Sequence, residues 1–582
     1  MAETAANYDD FINEAFIKPI RSVLIVDDEY PTIENVLSVQ IERQKPIVWN
    51  NAQRILNVIQ NFRERDPALI VDVHNGEYKA GSTADLANHL HQSDLLILDY
   101  ELQDSGEKAV EIVNKVLSNN HFNLIVLHTN EEILTPFTRI LLSMLNPNFI
   151  HERCQVDIQK GLDLITEKEY EDPAFIQKLR NAISLEQYLH ARNDLPKAIK
   201  AVFRNEEPFN QFSSLAQDLQ GHDKKALFIW SLNDYEVVKQ ESFNKGEAIE
   251  SLRFSYTADE ALWLRTNQGF ITFVHKQEDV NLIDELLKGL KAWKPSPSRL
   301  LSSKLRVTLD DEGVLAEDLA LSGRYVHAKF YHHLLNAQHT DALRSSLIDS
   351  QINTHIETLT SHIKDKVRHF VTKLISDDLA KAQPDLSALE HYGIDLSKSE
   401  NRDRASKEYN SYVSCKPLVT GWHLETGHIF EYGEEVWVCL SPICDLVPGQ
   451  KDSGVYGDVG SGRKPFVAVK LHKQPDEKPA DINSNNYVFL RNNNQEIDIY
   501  SFYGKNTSSA TPQWSIFIAD DNGILNQTKS VKISRIQSVG TEMVFCTKDC
   551  QLIAQLRYEY ALNLLQKLGI NFTRVGLDFN AH

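Results

Sequence analysis

The sequence predicts an α/β protein of several domains: an N-terminal parallel sheet covered by helices, a mixed and helical middle region, and a mostly-β C-terminal domain. Three observations carry this. Between residues 21 and 145, short β-branched runs (SVLIV, DLLIL, NLIVL) alternate with amphipathic stretches, the rhythm of strands and crossover helices in a parallel sheet. Those runs are almost wholly apolar, as strands covered on both faces are. From about residue 410 the texture changes to short β-type runs (EVWVCLS, KPFVAVKL, NYVFLR, WSIFIA) punctuated by Gly, Asn and Asp, the pattern of a compact β domain.

Residues 1–155 form the first predicted domain. Residues 156–300 read as a mixed α/β region that could complete it. A polar, helical opening leads to two strand-like runs, ALFIWSL from Ala226 and GFITFVH. A helical stretch then runs from about Val280 to Trp293, and KPSPSR breaks it. Residues 301–385 are helical. Ile352, Ile356, Leu359, Ile363, Val367, Phe370 and Leu374 recur at a mean step of about 3.67, one stripe along a nearly straight helix. Such a stripe serves a homodimer or signalling contact, or packs on its own chain. Residues 385–408 are polar and read as a linker. Residues 409–582 are the β-rich domain, closed by a predicted helix over Leu552–Leu568.

The chain has 582 residues, room for roughly three to five domains. A net charge of −20 argues against general affinity for nucleic acid or anionic lipid. Apolar runs fall far short of the roughly 20 residues a membrane span needs, and the N-terminus has no basic segment followed by an apolar core. No membrane association is therefore expected. Six cysteines at this length do not make a disulfide framework, so a reduced, cytoplasmic protein is expected.

The most informative residues are acids at strand ends. SVLIVDDE ends a buried strand in Asp27 and Asp28, LLILDYEL ends another at Asp99, and LIVLHTN ends a third at Thr129. Ligands of open parallel sheets sit at the carboxyl ends of strands. Three carboxylates gathered there repel one another unless a hard cation neutralises them, and Mg2+ suits such a donor set. A carboxylate beside Mg2+ can accept a phosphoryl group as an acyl phosphate. A neighbouring hydroxyl could then bond the new phosphate and shift with it.

These residues resemble the receiver domain of two-component response regulators, a flavodoxin-like fold. VDDE matches the acidic pair, LDYEL with GEKAVEIV the phospho-acceptor and its following helix, and LHT the switch hydroxyl. The resemblance implies Asp27 and Asp28 as metal ligands, Asp99 as phospho-acceptor and third ligand, the backbone carbonyl of Glu101 completing the shell, and Thr129 as switch residue. The match departs from the pattern in three places. Asp28 and Asp99 are 71 residues apart, Asn130 follows Thr129 where a small residue is usual, and no Lys-Pro pair follows at the usual distance. GFITFVHK, an apolar strand ending in Lys276 and followed by an amphipathic helix, supplies a candidate for the missing lysine if residues of about 150–260 are an insertion. Both ends of the chain, FINEAFIKPIRSVLIVDDEYPT and RYEYALNLLQKLGINFTRVGLDF, resemble large bacterial response-receiver-domain proteins. That resemblance implies a histidine-kinase-like or GHKL-type (Hsp90-like) ATPase partner and anti-phage defence.

Two further functions are weighed: a non-phosphorylated pseudo-receiver that docks such an ATPase, and a C-terminal nuclease or hydrolase using the Cys444/His428 region. Whether the chain is an enzyme stays open at this level. Cys439-x4-Cys444 and Cys546-x3-Cys550 have loose zinc-ligand spacing, but Cys439 alternates as a core residue and no knuckle glycine follows, so buried thiols are expected in place of Zn2+. GDVGSGRK (457–464) imitates a phosphate loop but has Pro465 where a Ser or Thr is needed.

Overall fold

In the computed structural model the chain divides into two compact units, Met1–Ser303 and Lys304–His582. The residues described are 7–41, 52–76, 93–102, 106–118, 121–243, 249, 251–255, 261–277, 280–321, 323–336, 341–417, 419–448, 459–475, 484–504 and 511–572. The first two positions of GDVGSGRK and the last residues of the C-terminal tail lie outside them.

The first unit is built on a seven-stranded sheet. Its strands are β1 (Ser22–Val26), β2 (Ile70–His74), β3 (Leu95–Asp99), β4 (Asn123–Thr129), β5 (Arg253–Ser255), β6 (Trp263–Arg265) and β7 (Gly269–His275), in spatial order β2-β1-β3-β4-β7-β6-β5. The first five in that order are parallel; β6 and β5 add an antiparallel edge. Parallel strands in the order 2-1-3-4-5 make the flavodoxin-like sheet, and here β7 takes the fifth place. β3 and β4 are buried at every residue, which explains their continuous apolar sequence. The helix Leu282–Trp293 follows β7, with the Asn281 side chain accepting from the Ile283 and Asp284 amides at its N-terminus. Gly289 lets this helix lie close to the strand, since a Cβ there would come within 2.6 Å of Thr272 Oγ1.

Between β4 and β7 the chain makes a helical excursion, from Leu134–Ser143 through Phe149–Glu171 to Gly221–Val238. Here the structure corrects a reading. ALFIWSL, expected as a strand, lies inside the helix Gly221–Val238, with Ala226 to Leu232 buried. A helix covered on all sides shows no apolar stripe, so a short apolar run cannot distinguish it from a buried strand. Its neighbour Phe149–Glu171 approaches at Gly161, where an added Cβ would stand 2.5 Å from Ala226 O and from Trp230 Cβ. Buried Glu236 accepts from the Ile150 amide and from the Tyr188 hydroxyl at 2.8 Å, tying three helices of the excursion together.

In the second unit the helix Asp341–Leu374 carries the predicted stripe. Ile363, Val367, Phe370 and Leu374 are buried, whereas Ile352 and Ile356 are about half exposed, at 49% and 52%. The polar segment read as a linker is helical: Pro384–Tyr392 starts on a proline and stops at Gly393 (φ 69°), and Ser399–Ser414 follows. Polarity there reflects helices with little buried surface. β-structure then follows: β8 (His428–Tyr432), β9 (Glu435–Cys439), β10 (Lys464–Lys473), β11 (Tyr487–Arg491), β12 (Ile497–Ser501), β13 (Trp514–Ala519), β14 (Ser530–Val539) and β15 (Glu542–Gln555). The order is β11-β12-β10-β13-β14-β15-β8-β9, and β9 also pairs with β10, closing a six-stranded barrel. Phe430, Trp437, Phe466 and Phe517 pack in one core cluster with Cys439 and Cys550; a second cluster joins Ile429, Val438 and Val469 to Leu564 and Leu568 of the helix Tyr558–Phe572. This period-two division is that of barrel strands. Leu552–Gln555, expected as the start of the last helix, belongs to β15, and the helix begins at Tyr558.

Candidate functional site

The site follows from strand register. β1, β3 and β4 run parallel, pairing Val26 with Leu98 and Asp99 with His128, so their carboxyl ends share one edge of the sheet. Asp27 and Asp28 follow β1, Asp99 ends β3 and Thr129 ends β4. β7 lies beside β4 with Thr129 opposite His275, and the Lys276 amide donates to the Thr129 carbonyl at 2.7 Å. That pairing delivers Lys276 to the acids across the long helical excursion.

The structure brings together Asp27, Asp28, Asp99, Glu101, Thr129 and Lys276. One carboxylate oxygen from each of Asp27, Asp28 and Asp99 lies within 4.8 Å of the others, with Asp27 and Asp99 buried and Asp28 exposed. The Lys276 side chain is 1% exposed. Its Nζ stands 2.7 Å from Asp99 Oδ1, 3.6 Å from Asp27 Oδ2 and 3.7 Å from Glu101 Oε2. The Glu101 amide also donates to Asp99 Oδ1 at 3.2 Å, which leaves Oδ2 buried without a donor. The Glu29 amide donates to Asp27 Oδ1 at 2.9 Å, and Arg54 pairs with Glu29 at 2.6 Å beside it.

The electrostatics follow from burial and crowding. Burial, then the Asp27 charge and the Glu101 carboxyl, push Asp99 up to about 8, so it holds a proton near neutrality. Burial also raises Asp27, although Lys276 opposes it. Burial would raise Glu101 too, but hydrogen bonds from the Asp99 carboxyl, the Thr129 hydroxyl and the Asn130 amide outweigh it and hold Glu101 down at about 2. The Asp99–Glu101 pair thus shares one proton on the Asp99 side. Burial lowers Lys276, but Asp27 and Asp99 more than offset this and keep it charged. Burial, with Lys276 and Arg54 nearby, drives His128 down to about 3, a neutral imidazole behind the site.

A hard, oxygen-seeking cation fits this donor set. Three carboxylates converge, one is exposed to exchange water, and Asp99 Oδ2 has no donor. The resemblance assigned Glu101 only a backbone carbonyl. Its side chain, which that reading missed, accepts from the Thr129 hydroxyl at 2.7 Å, the Asn130 amide at 2.6 Å and the Glu131 amide at 3.0 Å, all on Oε1. The signal available was an acid two residues beyond a strand-end acid.

The C-terminal candidates do not assemble a nucleophile and base. His428 is fully buried; its Nδ1 accepts from the Glu425 amide at 2.9 Å and its Nε2 faces the Thr420 carbonyl at 3.3 Å. Burial drives this imidazole down to about 3. Cys444 is exposed, and its thiol donates to Asp445. The described cysteines are free thiols, and burial pushes Cys439 and Cys550 up to about 12.

Residues 19–181 match a family model described as a response receiver domain. No curated protein and no solved structure matches the chain. This part of the chain is therefore similar to a receiver domain, and the match ends within the helical excursion, before β7 and Lys276. Among the described residues no helix is long and apolar enough to cross a membrane.

Proposed function

We propose that the first unit is a phosphorylation-responsive receiver of a two-component-like system, with Asp99 as phospho-acceptor. One observation carries the reading: Asp27, Asp28, Asp99, Thr129 and Lys276 meet at one sheet edge, with Asp99 Oδ2 free of any donor. Asp27, Asp28 and Asp99, with the Glu101 backbone carbonyl, would hold Mg2+. The cation supplies charge neutralisation for incoming phosphoryl oxygens. Lys276 and the Glu101 amide fix Asp99 Oδ1, which leaves Oδ2 to attack phosphorus. The new O–P bond forms as the donor's bond to phosphorus breaks, and the departing group takes the electron pair and a proton. Thr129 then has a phosphoryl oxygen to bond in place of its present partner. The donor is a histidine-kinase-like or GHKL-type ATPase, and anti-phage defence is the setting the family resemblance suggests.

Intact-mass measurement of the full chain after acetyl phosphate and Mg2+ tests this. One phosphoryl group on the wild type and none on Asp99→Asn is the expected result. An unmodified wild type, under conditions that label a control receiver, removes it and leaves the docking pseudo-receiver.

A further inference from the structure

A phosphoryl group bound to a strand-end aspartate needs donors around its oxygens. Four stand here: the Thr129 hydroxyl, the Asn130 and Glu131 amides, and the Lys276 ammonium. None is vacant. The first three converge on Glu101 Oε1 at 2.7, 2.6 and 3.0 Å, and Lys276 Nζ stands 3.7 Å from Glu101 Oε2. Thr129 and Lys276 are buried, at 0% and 6%, so these donors cannot turn to bulk water instead. Three donors on one carboxylate oxygen make an oxyanion-binding geometry whose occupant is part of the chain. The occupant is tethered two residues from Asp99 and is 24% exposed, which leaves it a way out towards solvent.

We propose that these donors form an oxyanion subsite that the Glu101 carboxylate itself plugs, so that a tetrahedral oxyanion of the phosphate class enters only as Glu101 swings out. In the plugged state Thr129 is already drawn towards an anion, so the hydroxyl's position is set by Glu101 until the group is displaced. What the subsite receives in function, a phosphoryl group on Asp99, rests on the reading above; the plug itself rests only on the donor geometry. Chemically, an internal anion at this place slows anion entry by competition and like-charge repulsion. Removing it exposes donors for a charged oxygen, enough for roughly a ten-fold change in affinity.

The test is calorimetric titration of the full chain with sodium sulfate, against sodium chloride at matched ionic strength, without Mg2+. Glu101→Ala is expected to bind sulfate about ten-fold more tightly than the wild type, and adding Thr129→Ala is expected to abolish the gain. Equal sulfate affinity in wild type and Glu101→Ala, or a gain indifferent to Thr129→Ala, overturns the proposal. Should Glu101→Ala fail to fold, Glu101→Gln keeps the shape and loses the charge. It is expected to bind sulfate more tightly than the wild type by a smaller factor, and equality with wild type overturns the plug. Acetyl phosphate labelling of the same variants separates the two readings. A sulfate gain with no labelling of Asp99 in any variant sinks the phospho-acceptor and spares the plug; labelling that is equal in all variants without a sulfate gain does the reverse.

Discussion

Lys276→Met is the sharpest perturbation of this site. The ammonium is the one cation within 4 Å of Asp27, Asp99 and Glu101 among the described residues, and its side chain is 1% exposed. Methionine keeps the length and apolar stem but leaves those carboxyl groups facing one another. Breaking a buried ion pair by removing one partner costs about 3–5 kcal/mol. Asp99 answers by keeping its proton, since it already sits near 8, so the uncompensated charge falls on Asp27 and Glu101 and the lower figure, about 3 kcal/mol, applies. At roughly 2 °C per kcal/mol for a unit of this size, the melting transition drops by about 6 °C in Mg2+-free buffer. Mg2+ then restores more stability to the variant than it adds to the wild type, because it enters a cluster that has lost the Lys276 charge; at a hundred-fold excess over Kd, binding is worth about 2.7 kcal/mol. Scanning calorimetry of the full chain measures both effects. Hydrogen exchange on peptides from β1, β3, β4 and β7 assigns the shifted transition to this unit. An unchanged transition without Mg2+ would refute the reasoning, since it would mean that Lys276 is not the charge holding these acids together.

Asp99→Asn tests the proton on Asp99. The folded-state value is raised to about 8 from an ordinary 3.8, so the acid's contribution to stability is fully present below about 4 and is lost as pH rises through 8. Asparagine mimics the protonated form. The loss is spread over about pH 4 to 8, so the variant should melt close to the wild type near pH 4, with a gap that widens to at least about 2 °C in its favour by about pH 8 without Mg2+; a gap that narrows with pH contradicts the assignment. Gly161→Ala forces a methyl group against Ala226 and Trp230 at 2.5 Å. It should cost about 1–3 kcal/mol by overpacking, read as a lower urea midpoint at unchanged slope, and a neutral result would show that the two helices can separate freely.

The sequence alone determined the strand ends. SVLIVDD, LLILD and NLIVLHT are local patterns in which a buried strand terminates in a polar group, and once three such strands are parallel the register carries Asp27, Asp28, Asp99 and Thr129 to one edge. It also determined the change to β-structure near residue 410, because alternation is a short-range property. What it could not settle was whatever depends on partners distant in the chain. ALFIWSL is helical because other helices cover it on every side, and its composition is that of a buried strand as well. The polar stretch near residues 385–408 is helical although little of it is buried. Lys276 reaches Asp99 only because β7 pairs with β4 across the whole helical excursion, and the Glu101 side chain meets three donors only because the backbone after Thr129 turns its amides towards it. Local chemistry names the groups a site can use; long-range pairing and loop conformation decide which of them touch, because hydrogen bonds and ion pairs act over a few ångströms, and residues far apart in sequence come that close only through the tertiary fold.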